Sequence, residues 1–159
     1  MTHKKLVKRL ANWLKYTHSN TVVMAELSTA AGETPDVIAW KGGAFSTLVE
    51  VKVSRSDFLA DKNKWFRRDE DRGMGNHRYF ATPKGLLKPE EIPEGWGLLE
   101  VEEHCIREKV EPKHKDANKQ NECKMLMSAI RRLEISTAVF VLQGKEGEGR
   151  CVNQLAVYS

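Results

Sequence analysis

The chain has 159 residues, of which 40% are apolar and 30% are charged, and its formal net charge is +4. This composition and the absence of a long apolar run exclude a disordered chain and a membrane-spanning one. The length favours a single domain over residues 1–159 with its own core. The excess of basic residues favours an anionic partner. Three widely spaced cysteines favour a reducing compartment, so we expect a soluble cytoplasmic protein.

The first predicted element is an amphipathic helix over residues 2–16. Thr2 can cap it, and apolar residues recur at helical spacing from Leu6 to Leu14. Basic side chains without an acidic neighbour surround this stripe. They predict contacts to a nucleic-acid backbone, and the alternative is a solvated face. The candidates for backbone contact on this helix are Lys4, Lys8 and Lys15.

A strand is predicted over residues 21–27, and a hairpin follows, with strands over 37–40 and 45–53 around a glycine turn. In the second hairpin strand, side-chain alternation places Glu50 and Lys52 on one face and the neighbouring valines on the other. Asp36 begins the first hairpin strand and can reach the same place. The hairpin therefore predicts two carboxylates and one lysine at a common site.

Two carboxylates and a lysine suit a hard divalent cation. Mg²⁺, or Mn²⁺ in its place, prefers oxygen ligands and takes few of them from the protein, which leaves room for water and phosphate. The lysine can orient a water molecule or stabilise negative charge that grows in a transition state. This combination indicates hydrolysis of a phosphodiester bond.

Pro35-Asp36 followed by Glu50-x-Lys52 resembles the PD-(D/E)xK nuclease superfamily. Residues 53–65, with further similarity at 78–81 and 92–99, resemble its MmcB-like DNA-repair branch and related bacteriophage proteins. The resemblance covers roughly residues 20–112. It implies an α/β protein with a restriction-endonuclease-like core, a mixed sheet flanked by helices, in the order αβββαβ with C-terminal additions. It also implies a bacterial or phage-infected cell as the setting.

The resemblance implies a role for each residue of the motif. Asp36, Glu50 and the carbonyl of Val51 would hold the metal, and Lys52 would position the attacking water. An acidic residue upstream of the motif often joins such sites. Here Glu26 is the candidate and Glu33 its rival, and the alternative is a loop carboxylate with no role in the site.

The next predicted helix runs over residues 56–68, with Ser54 or Ser56 as its cap. Asp57 and Asp61 are candidates to support the site, with Asp57 bracing Lys52 or metal-bound water. The alternative is a surface ladder of ion pairs. Basic residues at the start of this segment and along it are predicted to follow the DNA backbone: Arg55, Lys62, Lys64, Arg67 and Arg68.

The remaining elements complete the expected domain. Strands are predicted over 77–82, 96–102 and 105–110, with the acidic run Glu100, Glu102 and Glu103 facing solvent. The basic connector 112–121 is expected to be disordered in the free protein or to touch phosphates. A helix over 122–133 is predicted to bury an apolar stripe. Strands are predicted over 136–143 and 152–159, with continuation of the helix as the alternative for 136–143. The stripe consists of Cys123, Leu126, Met127, Ile130 and Leu133.

These features predict a metal-dependent DNA endonuclease that acts in DNA repair or phage DNA processing. A homodimer is expected if it cuts both strands. One alternative is a DNA-binding or repair accessory module that keeps a nuclease-like core only for docking. Another is an enzyme directed at RNA.

Overall fold

The computed structural model describes residues 1–28, 33–61, 73–132, 139–143 and 154–158. The chain divides into two compact units, Met1–Met125 and Leu126–Ser159. The expectation that all 159 residues form one domain stays a prediction. Among the described residues, no helix is long and apolar enough to cross a membrane.

The first unit is built on a six-stranded mixed sheet whose strands lie side by side in chain order. Strands β1, β2 and β3 are antiparallel, β3, β4 and β5 are parallel, and β6 returns antiparallel to β5. This architecture confirms the predicted α/β class and the mixed sheet. The strands are β1 (Val22–Ala25), β2 (Val37–Lys41), β3 (Phe45–Val51), β4 (His77–Pro83), β5 (Gly97–Val101) and β6 (Ile106–Val110).

Helices cover the two faces of this sheet. Helix α1 (His3–Tyr16) begins as predicted, because the Thr2 hydroxyl accepts a hydrogen bond from the Lys5 amide at 3.4 Å. Its apolar stripe packs with inward-facing residues of β2 to β5 in one buried cluster. Helix α2 (Arg55–Asp61) lies on the other face, where Phe58 contacts Phe80 edge to face and Phe80 stacks on Trp96. The second face therefore has an aromatic core beside its polar side chains.

Helix α3 (Lys119–Arg132) is present, but its predicted stripe is wrong. Glu122 and Met125 are the buried residues of this helix, whereas Cys123 is exposed and Met127 is 52% exposed. The reason is that the buried side chain at the start of the helix is a carboxylate with its own polar partners. The spacing of apolar residues gives no indication of a buried glutamate that has hydrogen-bond partners.

The Glu122 carboxylate joins several segments of the first unit. It accepts hydrogen bonds from Trp40 Nε1 at 2.8 Å, from Ser46 Oγ at 2.7 Å and from the Gly75 amide at 2.9 Å. Lys119 Nζ donates to Glu122 Oε2 at 3.0 Å and to Asn76 Oδ1 at 2.7 Å. These bonds fix the start of α3 against the β2–β3 hairpin.

The connector before α3 is held along its length by backbone hydrogen bonds. The amides of Lys113, Lys115 and Asn118 donate to the carbonyls of Gly95, Asn76 and Gly73 at 2.9–3.1 Å. The expectation that this segment is disordered is therefore wrong, because its backbone amides donate hydrogen bonds to carbonyls of other segments of the first unit.

The second unit contains two antiparallel strands, β7 (Val139–Gln143) and β8 (Gln154–Tyr158). Both lie within the strands predicted at the end of the chain. Residues 144–150, between the two predicted strands, lie outside the described residues.

Candidate active site at the end of strand β3

Asp36 anchors the candidate site to the backbone of β3. The β2–β3 register pairs Val37 with Val49, which brings the start of β2 beside the end of β3. There, Asp36 Oδ2 accepts a hydrogen bond of 2.7 Å from the amide of Val51, the residue between Glu50 and Lys52. The structure therefore places the Asp36 carboxylate against the backbone between Glu50 and Lys52.

Glu50 and Lys52 share a face of the sheet, as the alternation of side chains predicts. Both are buried, and Lys52 Nζ lies 3.7 Å from Glu50 Oε2. Lys52 Nζ is also 4.0 Å from Asp57 Oδ1. Buried charged groups are tolerated when they are paired, and here each side chain is a partner for the other inside the fold.

Asp57 reaches Lys52 because α2 begins directly after β3. The Ser54 hydroxyl accepts a hydrogen bond from the Asp57 amide at 3.2 Å, so Ser54 rather than Ser56 caps this helix. The Asp57 side chain is half-exposed and faces the lysine. Asp61 is the last described residue of α2, and the placement of its side chain lies outside the description.

His3 is a neighbour of the site that the sequence did not reveal. Its Nε2 lies 3.2 Å from Asp36 Oδ1, and its Nδ1 lies 3.7 Å from Glu26 Oε1. Glu26 has a left-handed backbone with φ of 52°, and its amide donates to the Asp36 carbonyl at 3.0 Å. No sequence motif connects a histidine at the start of α1 to β2, because packing of the helix on the sheet creates the contact.

The two candidates for an upstream carboxylate have different surroundings. Glu26 lies beside the site through His3. Glu33 is buried, and its Oε2 accepts a hydrogen bond from the Met74 amide at 2.9 Å. The structure thus brings Glu26 toward Asp36 and engages Glu33 in holding the segment before β4.

The donors at the end of β3 fit Mg²⁺ better than a transition metal. Among the described residues, no three His, Cys, Asp or Glu side chains are grouped as a ready metal cluster. Mg²⁺ needs only one or two carboxylates and fills its octahedron with water and phosphate oxygens. A carboxylate has about four lone-pair sites, so Asp36 can bind the Val51 amide and still offer oxygen to a cation.

The basic residues predicted to contact DNA fall into three groups. Lys4, Lys8 and Lys15 are exposed on α1, whose first residue, His3, touches Asp36. Arg55 forms an ion pair with Glu91, which raises the pKa of Arg55 and lowers the pKa of Glu91 to about 2. Arg55 can therefore contact DNA only by sharing this partner. The last group lies outside the described residues: Lys62, Lys64, Arg67 and Arg68.

Glu100 does not face solvent as expected. It is 7% exposed, and its Oε1 accepts a hydrogen bond from the Gly85 amide at 2.9 Å. The alternating pattern of β5 places Leu99 and Val101 in the α1 core, so Glu100 points to the face that carries Glu50. Because Glu102 and Glu103 follow it closely, the sequence indicates an acidic run that faces solvent and does not indicate that Glu100 is buried.

His77 lies at the other end of the parallel strands, in register with Thr47. Its ring contacts Phe45 edge to face, and a neighbouring cavity of about 120 Å³ is lined by Trp13, His18 and Tyr79 among others. Burial and the nearby His114 lower the pKa of His77. His77 is therefore separated along the strands from the carboxylate–lysine site.

The fold and the site together define an α/β protein with carboxylates and a lysine at the end of a central strand. The family model described as DNA repair protein MmcB-like matches residues 2–138, so the chain belongs to the MmcB-like family. Among solved structures, the chain is similar to the SPO1766 protein of unknown function from Silicibacter pomeroyi. The TM-score is 0.64 at 21% identity, over 86% of this chain and 92% of that one. This likeness shows a shared fold. No curated protein matches the chain.

Proposed function

We propose that this protein is a Mg²⁺-dependent DNA endonuclease of the PD-(D/E)xK type that acts in DNA repair. The repair role follows from the description of its family. The hydrolytic role is supported by one observation above the others. The Asp36 carboxylate accepts a hydrogen bond from the amide that separates Glu50 from Lys52, so it lies at the strand end that carries these two residues.

Each residue has a distinct task in this proposal. Asp36, Glu50 and the carbonyl of Val51 hold the cation, which on binding supplies Lewis-acid stabilisation of phosphate charge and activates water. Lys52 orients the attacking water and stabilises the additional negative charge of the transition state. Asp57, 4.0 Å away, keeps the ammonium of Lys52 in place.

The basic face of α1 would guide DNA to this site. The helix begins where His3 meets Asp36, and it rises about 1.5 Å per residue. Lys4 and Lys8 therefore lie within about 8 Å of that contact along the helix axis, and Lys15 lies about 18 Å along it. This line of charges suits a backbone that carries one phosphate per ~3.4 Å of each strand.

The proposal is tested by cleavage of supercoiled plasmid with Mg²⁺, Mn²⁺ or EDTA, beside an RNA substrate of matched length. Wild type should nick DNA only with a divalent cation. Lys52→Ala should bind DNA normally and cut roughly a hundredfold more slowly in single-turnover assays, as expected for a removed charge-stabilising donor. Asp36→Ala and Glu50→Ala should abolish cutting and the thermal stabilisation that the cation gives to wild type.

An accessory role in DNA docking is the second candidate, and the buried ion pair favours it. Glu50 and Lys52 form an ion pair within the fold at 3.7 Å, so both can serve structure without chemistry. In that case wild type would bind DNA, fail to cut with either cation, and gain no thermal stability from them. If the protein cuts RNA in preference to DNA, RNA takes the place of DNA as the substrate in the first proposal.

A further inference from the structure

Lys52, Thr82 and Glu100 form a polar row across the three parallel strands. The Lys52 amide donates to the Ala81 carbonyl at 2.9 Å, which continues the β3–β4 pairing by one residue, and Thr82 pairs with Glu100 between β4 and β5. All three are buried, with exposures of 3%, 0% and 7%. Neighbouring strands are about 4.8 Å apart, so the row spans about 10 Å.

The Thr82 hydroxyl is the unusual member of this row. Its oxygen is fully buried and has no hydrogen-bond partner among the described residues. Buried hydroxyl groups nearly always have a partner, so this position is ready to receive one. By strand alternation the side chain of Thr82 points to the face shared by Glu50 and Glu100. Thr82 therefore lies on the strand between the one that leads to Lys52 and the one that carries Glu100.

The arrangement of charge identifies the partner. Lys52 Nζ lies 3.7 Å from Glu50 Oε2, and a divalent cation on that carboxylate would repel the ammonium strongly at this distance. Asp57 Oδ1, 4.0 Å from Lys52 Nζ, remains as one acceptor. Because Lys52 is buried, its ammonium needs further acceptors within the protein. Thr82 is one strand away and Glu100 is two, which the four-carbon stem of a lysine and the side chain of a glutamate can bridge together.

We propose that Thr82 and Glu100 receive the ammonium of Lys52 when Glu50 binds a divalent cation, which makes Glu100 a positioning residue for Lys52. The inference rests on the proposed function and adds residues to its site. The lysine would then remain close to the substrate phosphate. In the metal-free protein it neutralises Glu50 instead, so one ammonium serves two buried carboxylates in turn.

A metal-free test uses Glu50→Gln, which removes the charge of Glu50 without a cation. In this background the side-chain ¹⁵Nζ resonance of Lys52, assigned by its loss in Lys52→Arg, should shift when Thr82→Val or Glu100→Gln is added. Glu102→Gln is the matched control, because Glu102 binds Lys84 and Arg107 at the surface. It should leave the resonance unchanged. An identical Lys52 resonance with and without Glu100→Gln would overturn the inference.

Cleavage assays separate this inference from the proposed function. With Mg²⁺, Glu100→Gln and Thr82→Val should each cut about 10-fold more slowly, the lower end of what lost supporting contacts cost at metal sites, and should add no loss to Lys52→Ala. Thr82→Val is nearly isosteric, so it keeps the test open if Glu100→Gln fails to fold. If the wild-type protein leaves DNA uncut, the nuclease proposal is refuted. The Lys52 resonance alone then tests the role of Thr82 and Glu100. If the protein cuts DNA but neither its cleavage rate nor its Lys52 resonance changes with Thr82→Val or Glu100→Gln, the inference is refuted.

Discussion

Replacement of Glu122 with glutamine should destabilise the first unit, and the hydrogen bonds of the Glu122 carboxylate give the size of the loss. Oε1 accepts from Ser46 and Gly75, and a glutamine oxygen can keep both bonds. Oε2 accepts from Trp40 Nε1 and Lys119 Nζ, and an amide nitrogen there would face two donors. One buried indole donor left unpaired costs about 1–3 kcal/mol. The Lys119 side chain is 44% exposed, so solvent limits its share to ~1 kcal/mol.

The expected loss is therefore about 2–4 kcal/mol, which lowers the melting temperature by about 5–15 °C for a chain of this size. Urea unfolding followed by circular dichroism and tryptophan fluorescence measures it. Glu90→Gln, at an exposed glutamate, is the control and should change stability by less than about 0.5 kcal/mol. A Glu122→Gln protein as stable as this control would refute the view that the carboxylate fixes the start of α3.

Three further predictions concern charge. Exchange of the three exposed α1 lysines for glutamate should reduce the salt slope of DNA binding by about 0.9 per lost phosphate contact, and an unchanged slope would leave them as a solvated face. His3→Gln should weaken Mn²⁺ binding, measured by electron paramagnetic resonance, by about 10-fold, because the ring contacts Asp36; equal affinity would contradict this. The pKa of His77 is lowered in the folded state, so stability is full above the ordinary value of about 6.5 and falls as pH drops toward the folded pKa. His77→Gln should remove that part of the fall in urea titrations at successive pH values, and parallel curves would exclude it.

The sequence predicts the local geometry of the site because that geometry depends on strand alternation. Glu50 and Lys52 are two residues apart, so any strand that contains both places them on one face. The β2–β3 hairpin adds Asp36 through a short turn, and this pairing is also local. Signals confined to one strand or one hairpin therefore predicted the shared face of Glu50 and Lys52, and the resemblance that these residues carry implied the fold class.

Contacts between distant elements were not predictable in the same way. His3 meets Asp36 through the packing of a helix on a sheet, and no spacing in the sequence encodes that distance. Glu100 and Glu122 were misread because glutamate is usually exposed, and a buried carboxylate is recognised only through its donors. In both cases the partners are backbone amides or side chains far along the chain, so composition and periodicity give no indication of them.

The position of Glu122 also has a consequence for the timing of folding. It is separated by 76 residues from Ser46, whose hydroxyl it binds. Ribosomes add about 5–20 residues each second, so the hairpin is synthesised about 4–15 s before the carboxylate that receives its donors. During that interval Trp40 Nε1 and Ser46 Oγ of the nascent chain lack the Glu122 carboxylate that accepts their hydrogen bonds in the folded protein. The first unit can therefore reach its final packing only late in synthesis, and a chain that stalls before residue 122 would present these groups to chaperones and proteases.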